Sequence, residues 1–133
     1  MLVRRLKDSP LDEWHGLRTM ILMDAGELGS RHLSVTWLEV PAGVSQTLHS
    51  HEESEQVYVV VQGSGKMSVA GDTETLAVGD LVLVPPATDH AIENDGTEDL
   101  CCVSAQSPAV SVDELHSRQL ATEVAGLDDD DDL

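Results

Sequence analysis

Apolar and polar residues alternate in short stretches along most of the chain, and turns rich in glycine or proline separate the stretches about every eight to twelve residues. The segment 33–40 alternates and contains β-branched and aromatic residues, which predicts a strand, although neither of its faces is purely apolar. The run 81–84 is continuously apolar and predicts a strand buried on both faces. The other predicted strands lie at 17–23, around His49 and His51, at 55–61, 66–70 and 73–78, from His90 onwards, and at 100–104. Short strands in this number are typical of an all-β sandwich or barrel, so the predicted fold is a double-sheet β-barrel.

The pattern changes after Pro108. Ser111 and Glu114 have the spacing of a helix capping box, which predicts a short C-terminal helix within 109–125. Residues 126–133 then form an acidic tail that we expect to be solvated. At the other end, residues 1–30 are predicted to form an N-terminal arm that includes the first strand or strands.

The composition limits the classes of partner. The 133 residues carry a formal net charge of −18, and removing the five aspartates 128–132 still leaves −13. Such a surface repels nucleic acid and anionic membranes, because their recognition needs lysine and arginine. No apolar run approaches the roughly 18–20 residues of a membrane span, and the N-terminus lacks the apolar stretch of a signal peptide. The expected location is therefore cytoplasmic. The adjacent Cys101 and Cys102 are expected to be reduced thiols, since neighbours on a strand point to opposite faces.

Candidate metal ligands occur in two separate runs. His49 and His51 stand two apart, so on a strand both imidazoles project from one face. Glu55 and Gln56 follow a few residues later and offer side-chain oxygens, and His90 is a third candidate imidazole in the second run. Three imidazoles and an oxygen donor on strand-like sequence predict a metal site.

The two runs resemble the sequence motifs of the cupin superfamily. The first motif reads G-x5-H-x-H-x3,4-E-x6-G, and Gly43, His49, His51 and Gly63 match it. The second reads G-x5-P-x-G-x2-H-x3-N, and the residues in register are Gly79, Pro85, His90 and Asn94, with Ala87 in place of the middle glycine. The resemblance covers roughly residues 33–105. It implies a double-stranded β-helix, the cupin or jelly-roll barrel, over residues 31–108.

The sequence departs from the first motif at its acidic position. Counting six residues back from Gly63 gives Gln56, whereas counting three residues on from His51 gives Glu55. The tract 56–61 has the pattern of an uninterrupted strand, and a shift of one residue would turn every side chain to the other face. We therefore predict Gln56 as the oxygen ligand, with Glu55 as the alternative. Three imidazoles and an amide leave a divalent metal at +2, whereas a carboxylate lowers the charge to +1.

The predicted cofactor is one divalent transition metal per chain, Fe, Mn, Ni, Cu or Zn, because imidazole and oxygen ligands suit these ions. Four protein ligands leave one or two octahedral positions for water, dioxygen or a bidentate substrate. The barrel interior beside the metal is expected to be apolar and lined by Tyr58, Val60 and Leu83. A purely structural metal is the less favoured interpretation, since structural zinc prefers thiolates and both cysteines lie outside the motifs.

Three classes of function are compatible with such a site. The favoured one is an oxidoreductase of the dioxygenase type that acts on a small chelating organic substrate, as in many small cupins that this chain resembles. The second is a non-oxidative isomerase, lyase or cyclase, in which the metal polarises a carbonyl and Glu55 or Tyr58 moves the proton. The third is a non-catalytic binder of a metal or a small molecule. The resemblance also implies a homodimer formed through an outer sheet face and an N-terminal strand.

Overall fold

The structure is a computed structural model that describes residues 1–111. In this part of the chain nine strands and two short 3-10 turns occur, and the strands form two antiparallel sheets. The strands are β1 (Leu11–Trp14), β2 (Leu17–Met23), β3 (Ser34–Val40), β4 (Glu55–Gln62), β5 (Ser64–Val69), β6 (Asp72–Ala77), β7 (Leu81–Val84), β8 (His90–Glu93) and β9 (Leu100–Ser107). The larger sheet has the order β1-β2-β3-β9-β4-β7, and the smaller one has the order β6-β5-β8. The predicted all-β double-sheet barrel is confirmed.

The inner faces of the two sheets share one hydrophobic core. Alternation along β4 turns Tyr58 and Val60 inwards, and both are about 1% exposed. Met67 of β5 and Ile92 of β8 meet them from the smaller sheet. Gln56 of β4 and His90 of β8 lie on these same inner faces.

A buried amide closes the turn after β8. The Asn94 side chain donates hydrogen bonds to the carbonyl oxygens of Val40 (2.8 Å) and Glu98 (2.7 Å), and its oxygen accepts one from the backbone N–H of Gly96 (3.0 Å). All its hydrogen bonds go to backbone groups. In this structure the motif asparagine therefore fixes the loop that joins β8 to β9.

Strand β1 lies within the predicted N-terminal arm, but its limits were not predicted, because its four residues include two acids and pair only with β2. Two other sequence-based expectations about the strands were wrong. The segment of His49 and His51 is not a regular strand, since only an isolated bridge between His49 and His90 occurs there. The run 81–84 is not buried on both faces: Leu81 and Leu83 are 59% and 51% exposed, because β7 lies at the edge of its sheet.

The predicted helix at 109–125 starts at the end of the described residues and otherwise lies outside them, as does the predicted tail at 126–133. Within residues 1–111, no helix is long and apolar enough to cross a membrane.

Candidate metal centre

Backbone hydrogen bonds bring the two histidine-bearing runs together. The N–H of His49 donates to the carbonyl oxygen of His90 (3.1 Å), and the N–H of His90 donates to the carbonyl oxygen of His49 (2.8 Å). The N–H of Ala87 donates to the carbonyl oxygen of His51 at 2.6 Å. Ala87 has a φ of 56°, a left-handed conformation that glycine adopts more easily, which gives a physical reason for the glycine of the second motif at this position. These bonds fix the imidazole-bearing segments relative to each other.

The three imidazoles converge inside the barrel. The ring centroids of His49 and His90 are 4.3 Å apart, and each lies 5.2 Å from the centroid of His51. One nitrogen from each ring lies within 4.8 Å of the other two, and all three side chains are at most 2% exposed. The cluster is therefore compatible with a divalent metal.

Hydrogen bonds orient two of these rings for ligation. Nδ1 of His49 lies 2.6 Å from the carbonyl oxygen of Thr47, and Nδ1 of His90 lies 3.0 Å from that of Thr88. A carbonyl oxygen only accepts, so each Nδ1 carries the proton and each Nε2 presents a lone pair. Nε2 of His49 has no hydrogen-bond partner among residues 1–111 although it is buried.

Burial keeps these imidazoles in the neutral form that binds metals. Burial, followed by the repulsion from His90, lowers the pKa of His49 to about 3. Burial also lowers the pKa of His90, against a smaller raising effect of its hydrogen bond to Thr88. At neutral pH both rings therefore present lone pairs.

Gln56 reaches the cluster and Glu55 does not. Gln56 is 4% exposed, and its Oε1 lies 3.1 Å from Nε2 of His90. Its Nε2 donates a 2.6 Å hydrogen bond to the Ser104 hydroxyl, which fixes the direction of the amide. Glu55 is exposed because it is the preceding residue on the same strand and faces the other side of the sheet.

The close approach of Gln56 to His90 also bears on metal binding. With its proton on Nδ1, His90 presents an acceptor nitrogen at Nε2, and the amide oxygen of Gln56 is an acceptor too. Two acceptors at 3.1 Å repel each other unless a shared proton or cation lies at the point they both face. Neutral imidazole and amide donors fit a divalent first-row transition metal at that point.

Tyr58 lies on the same inner face, two residues beyond Gln56. Its ring centroid is 6.1 Å from that of His90, and its side chain is 1% exposed. Burial raises the pKa of its hydroxyl, while hydrogen bonding with the side chains of Gln46 and Gln56 opposes that rise. The phenol is therefore protonated at neutral pH, and it is suited to donating a hydrogen bond and not to acting as a base.

A cavity of about 50 Å³ adjoins His49 and Gln56. Its lining was expected to be apolar, but it includes Ser34, Thr36, Ser104 and Gln106 among its polar groups. Of the three residues expected to line it, only Tyr58 does so. Val60 lies in the hydrophobic core, and Leu83 faces outwards.

Three further residues lie at the site and were not predicted from the sequence: Gln46, Ser104 and Gln106. The alternation of Cys102, Ser104 and Gln106 was a usable signal, but β9 was predicted to end at residue 104 and runs to Ser107. Gln46 lies in an irregular segment between β3 and β4, so its direction could not be read from a strand pattern.

The family model described as Cupin domain matches residues 36–105, more than half of the chain. The chain belongs to the cupin family. This cupin is 38% identical over 66 residues to an uncharacterized protein of Methanocaldococcus jannaschii, a match that covers 47% of this chain. The match spans 53% of that relative, about half of its length.

Solved structures share the fold of this cupin. KdgF from Halomonas sp. superposes with a TM-score of 0.73 at 21% identity, covering 83% of this chain and 96% of that one. A Cupin 2 conserved barrel domain protein from Salinispora arenicola superposes with a TM-score of 0.68 at 24% identity, covering 80% and 87% of the two chains. At these identities the likeness establishes the fold alone.

Proposed function

We propose that this cupin is a metal-dependent oxidoreductase of the dioxygenase type that acts on a small chelating organic substrate. The observation that carries the proposal is the convergence of three buried imidazoles and the Gln56 amide oxygen beside a small cavity. In the proposed reaction both atoms of O2 enter the product. The substrate supplies the four electrons that reduce O2, so no external reductant is required.

In this proposal His49, His51, His90 and Gln56 hold one Fe, Mn, Ni, Cu or Zn ion. The bound ion supplies a site for chelation and, if it is redox-active, an electron path between substrate and O2. The donor set is neutral, so the centre keeps a charge of +2 and attracts electron-rich oxygen atoms. Burial of the ligands limits access of bulk water to the reacting atoms.

The residues beside the cluster favour oxidation over proton transfer. Glu55, one of the two proton carriers considered for an isomerase or lyase, is exposed on the opposite side of β4. Tyr58, the other, is held as a neutral phenol by burial. Its hydroxyl is suited to orienting the Gln56 amide or a bound substrate oxygen by a hydrogen bond. Neither residue is placed and charged as a general base.

The test is oxygen uptake by protein loaded anaerobically with Fe(II) and offered small α-hydroxyketones, 1,3-diketones, thiols and catechols. We expect uptake with at least one substrate class, none after loading with Zn(II), which has no redox chemistry, and none in a His90→Ala variant. Absence of uptake with every class would overturn the proposal. Equal turnover by the Zn(II) form under argon would instead identify a non-oxidative isomerase, lyase or cyclase.

We also propose that the protein is cytosolic and homodimeric. Both cysteines are unpaired and buried, which is typical of a reducing compartment. For the dimer, the support is an apolar outer face on the larger sheet, where Leu81 and Leu83 of β7 register with Val59 and Val57 of β4. These valines register in turn with Val103 and Ala105 of β9.

Light scattering after gel filtration tests the dimer. We expect a dimeric mass for the unmodified chain and a monomeric mass after Leu81→Glu combined with Leu83→Glu, because two desolvated carboxylates oppose the contact. Leu48→Glu is the matched control, since Leu48 is 48% exposed but lies outside this face. A monomeric unmodified chain, or a dimer that survives the double substitution, would contradict the proposed interface.

A further inference from the structure

The inner face of the larger sheet carries two adjacent rows of polar side chains. In one row Ser34 of β3 registers with Gln106 of β9, which registers with Gln56 of β4. In the next row Thr36 registers with Ser104, which registers with Tyr58. The following row is apolar and consists of Leu38, Cys102 and Val60. The barrel interior is therefore divided, with a polar wall beside the imidazoles and an apolar core beyond it.

Two amide oxygens beside the cavity have no donor among the described residues. Oε1 of Gln46 and Oε1 of Gln106 are buried and have no hydrogen-bond partner among residues 1–111. The two side chains are 9% and 8% exposed, and both line the cavity. A buried acceptor without a partner destabilises the protein, so a ligand that brings hydroxyl donors removes this penalty.

Apart from the +2 charge of a bound metal, the charges around the cavity disfavour an anion. Among the described residues that line it there is no lysine or arginine, and the two carboxylates are those of Asp12 and Asp24. The whole chain carries a net charge of −18. A carboxylate ligand has only acceptor atoms, so it would face the free oxygens of Gln46 and Gln106 with no donor to offer.

The volume limits the size of the ligand. About 50 Å³ is room for roughly three to five water-sized groups, at about 10–15 Å³ each. Because covalently bonded atoms overlap, a ligand of three carbons and three oxygens fills such a space, and a longer one would extend beyond it.

We propose that this cavity takes an uncharged small α-hydroxycarbonyl compound and discriminates against carboxylates of the same size. The inference rests on the proposed function, because the carbonyl and hydroxyl oxygens are the pair that would chelate the metal. The remaining hydroxyl hydrogens go to the free amide oxygens of Gln46 and Gln106.

The test compares dihydroxyacetone with pyruvate. Each has three carbons and three oxygens and chelates through adjacent oxygens, but one is neutral with two hydroxyl donors and the other is an anion with none. Protein loaded with Co(II) is titrated with each compound, and the visible spectrum of the ion reports coordination. We expect at least tenfold tighter binding of dihydroxyacetone. Free Co(II) titrated in the same buffer is the control, and there we expect the carboxylate to be preferred.

Substitutions at Gln106 locate the origin of the preference. Gln106→Leu should weaken dihydroxyacetone binding at least fivefold without changing the Co(II) content, since Gln106 is not a proposed ligand. Gln106→Lys should tighten pyruvate binding by a similar factor. Gln46→Leu repeats the first test at an independent position if the lysine variant does not fold.

The outcomes separate this inference from the proposed function. Protein that holds Co(II) but prefers pyruvate overturns the inference and leaves the metal site standing. Protein that holds no Co(II) refutes the metal site, and calorimetry of the metal-free protein with the same two compounds then decides the cavity's preference. In the metal-free protein too, tighter binding of pyruvate than of dihydroxyacetone overturns the inference.

Discussion

Glu55 and Gln56 are adjacent on β4, and their side chains lie on opposite sides of the sheet. The exposed carboxylate is in solvent, whereas the amide is 4% exposed, with its oxygen 3.1 Å from Nε2 of His90. The Glu55 carboxylate, although the stronger metal ligand, therefore lies where it cannot reach the imidazole cluster. The strand period, and not the intrinsic metal affinity of the side chain, decides which of the two residues faces the imidazole cluster.

Alanine substitutions of these two neighbours form a matched pair. Gln56→Ala should weaken metal binding at least tenfold, because it removes an oxygen donor and releases the Ser104 hydroxyl from its hydrogen bond. Glu55→Ala should change the affinity by less than twofold. Competition with a chromophoric chelator measures both. A larger effect of Glu55→Ala would show that the register of β4 at the centre differs by one residue.

The inward direction of the Gln56 side chain could be predicted because β4 alternates regularly from Glu55 to Val60. The count back from Gly63 crosses a register shift between Val60 and Gln62, so the alternation of Glu55 to Val60, and not the count, sets the face of Gln56. The polarity of the cavity could not be predicted in this way. It arises from register between β3, β9 and β4, which are distant in sequence, and the alternation of one strand does not report its neighbours across the sheet.

At the scale of elements, the end of β4 is held against the start of β9 by close backbone approach. Gly63 has a φ of +74°, and a Cβ placed on it would lie against the carbonyl oxygen of Asp99. Gly71, in the turn between β5 and β6, has a similar φ of +86° but open space around the same position. The left-handed backbone favours glycine at both positions. Only at Gly63 would a side chain also clash with neighbouring backbone atoms.

The two glycines allow strain and packing to be separated. Gly63→Ala and Gly71→Ala should each destabilise the protein by about 1–2 kcal/mol through the left-handed backbone. Gly63→Ala should cost roughly 1–3 kcal/mol more, since backbone atoms must move apart. Urea unfolding of both variants measures the difference. Equal losses of stability would show that the approach of β4 to β9 relaxes without cost.

The limits of a strand could be predicted where one hydrophobic pattern continued along the whole segment. Strand β2 has the predicted limits, 17–23, and β7 has its predicted limits, 81–84. The segment around His49 forms no regular ladder. Its hydrogen bonds with β8 are irregularly spaced, and the reciprocal pair between His49 and His90 is an isolated bridge. The exposure of Leu83 depends on the position of β7 in the sheet order, which a local apolar run does not encode.

At the scale of the whole molecule, the buried imidazoles link folding to pH. The pKa of His49 is about 3 in the folded protein and about 6.5 when the chain is unfolded. Between these values the unfolded chain binds a proton that the folded chain does not, so stability falls as the pH falls through this window. Burial lowers the pKa of His90 in the same direction, which adds to the effect.

The metal-free protein should therefore lose on the order of a few kcal/mol of stability between pH 7 and pH 4. The acidic surface opposes this trend, because protonation of carboxylates reduces the repulsion within a chain of net charge −18. A His49→Gln variant isolates the imidazole, since it keeps the surface charges and removes one titrating group. Its unfolding free energy, measured in urea at several pH values, should decline less steeply than that of the unmodified protein. Identical pH dependence would mean that His49 takes up its proton equally well in the folded state, which is incompatible with the buried neutral ring on which metal ligation depends.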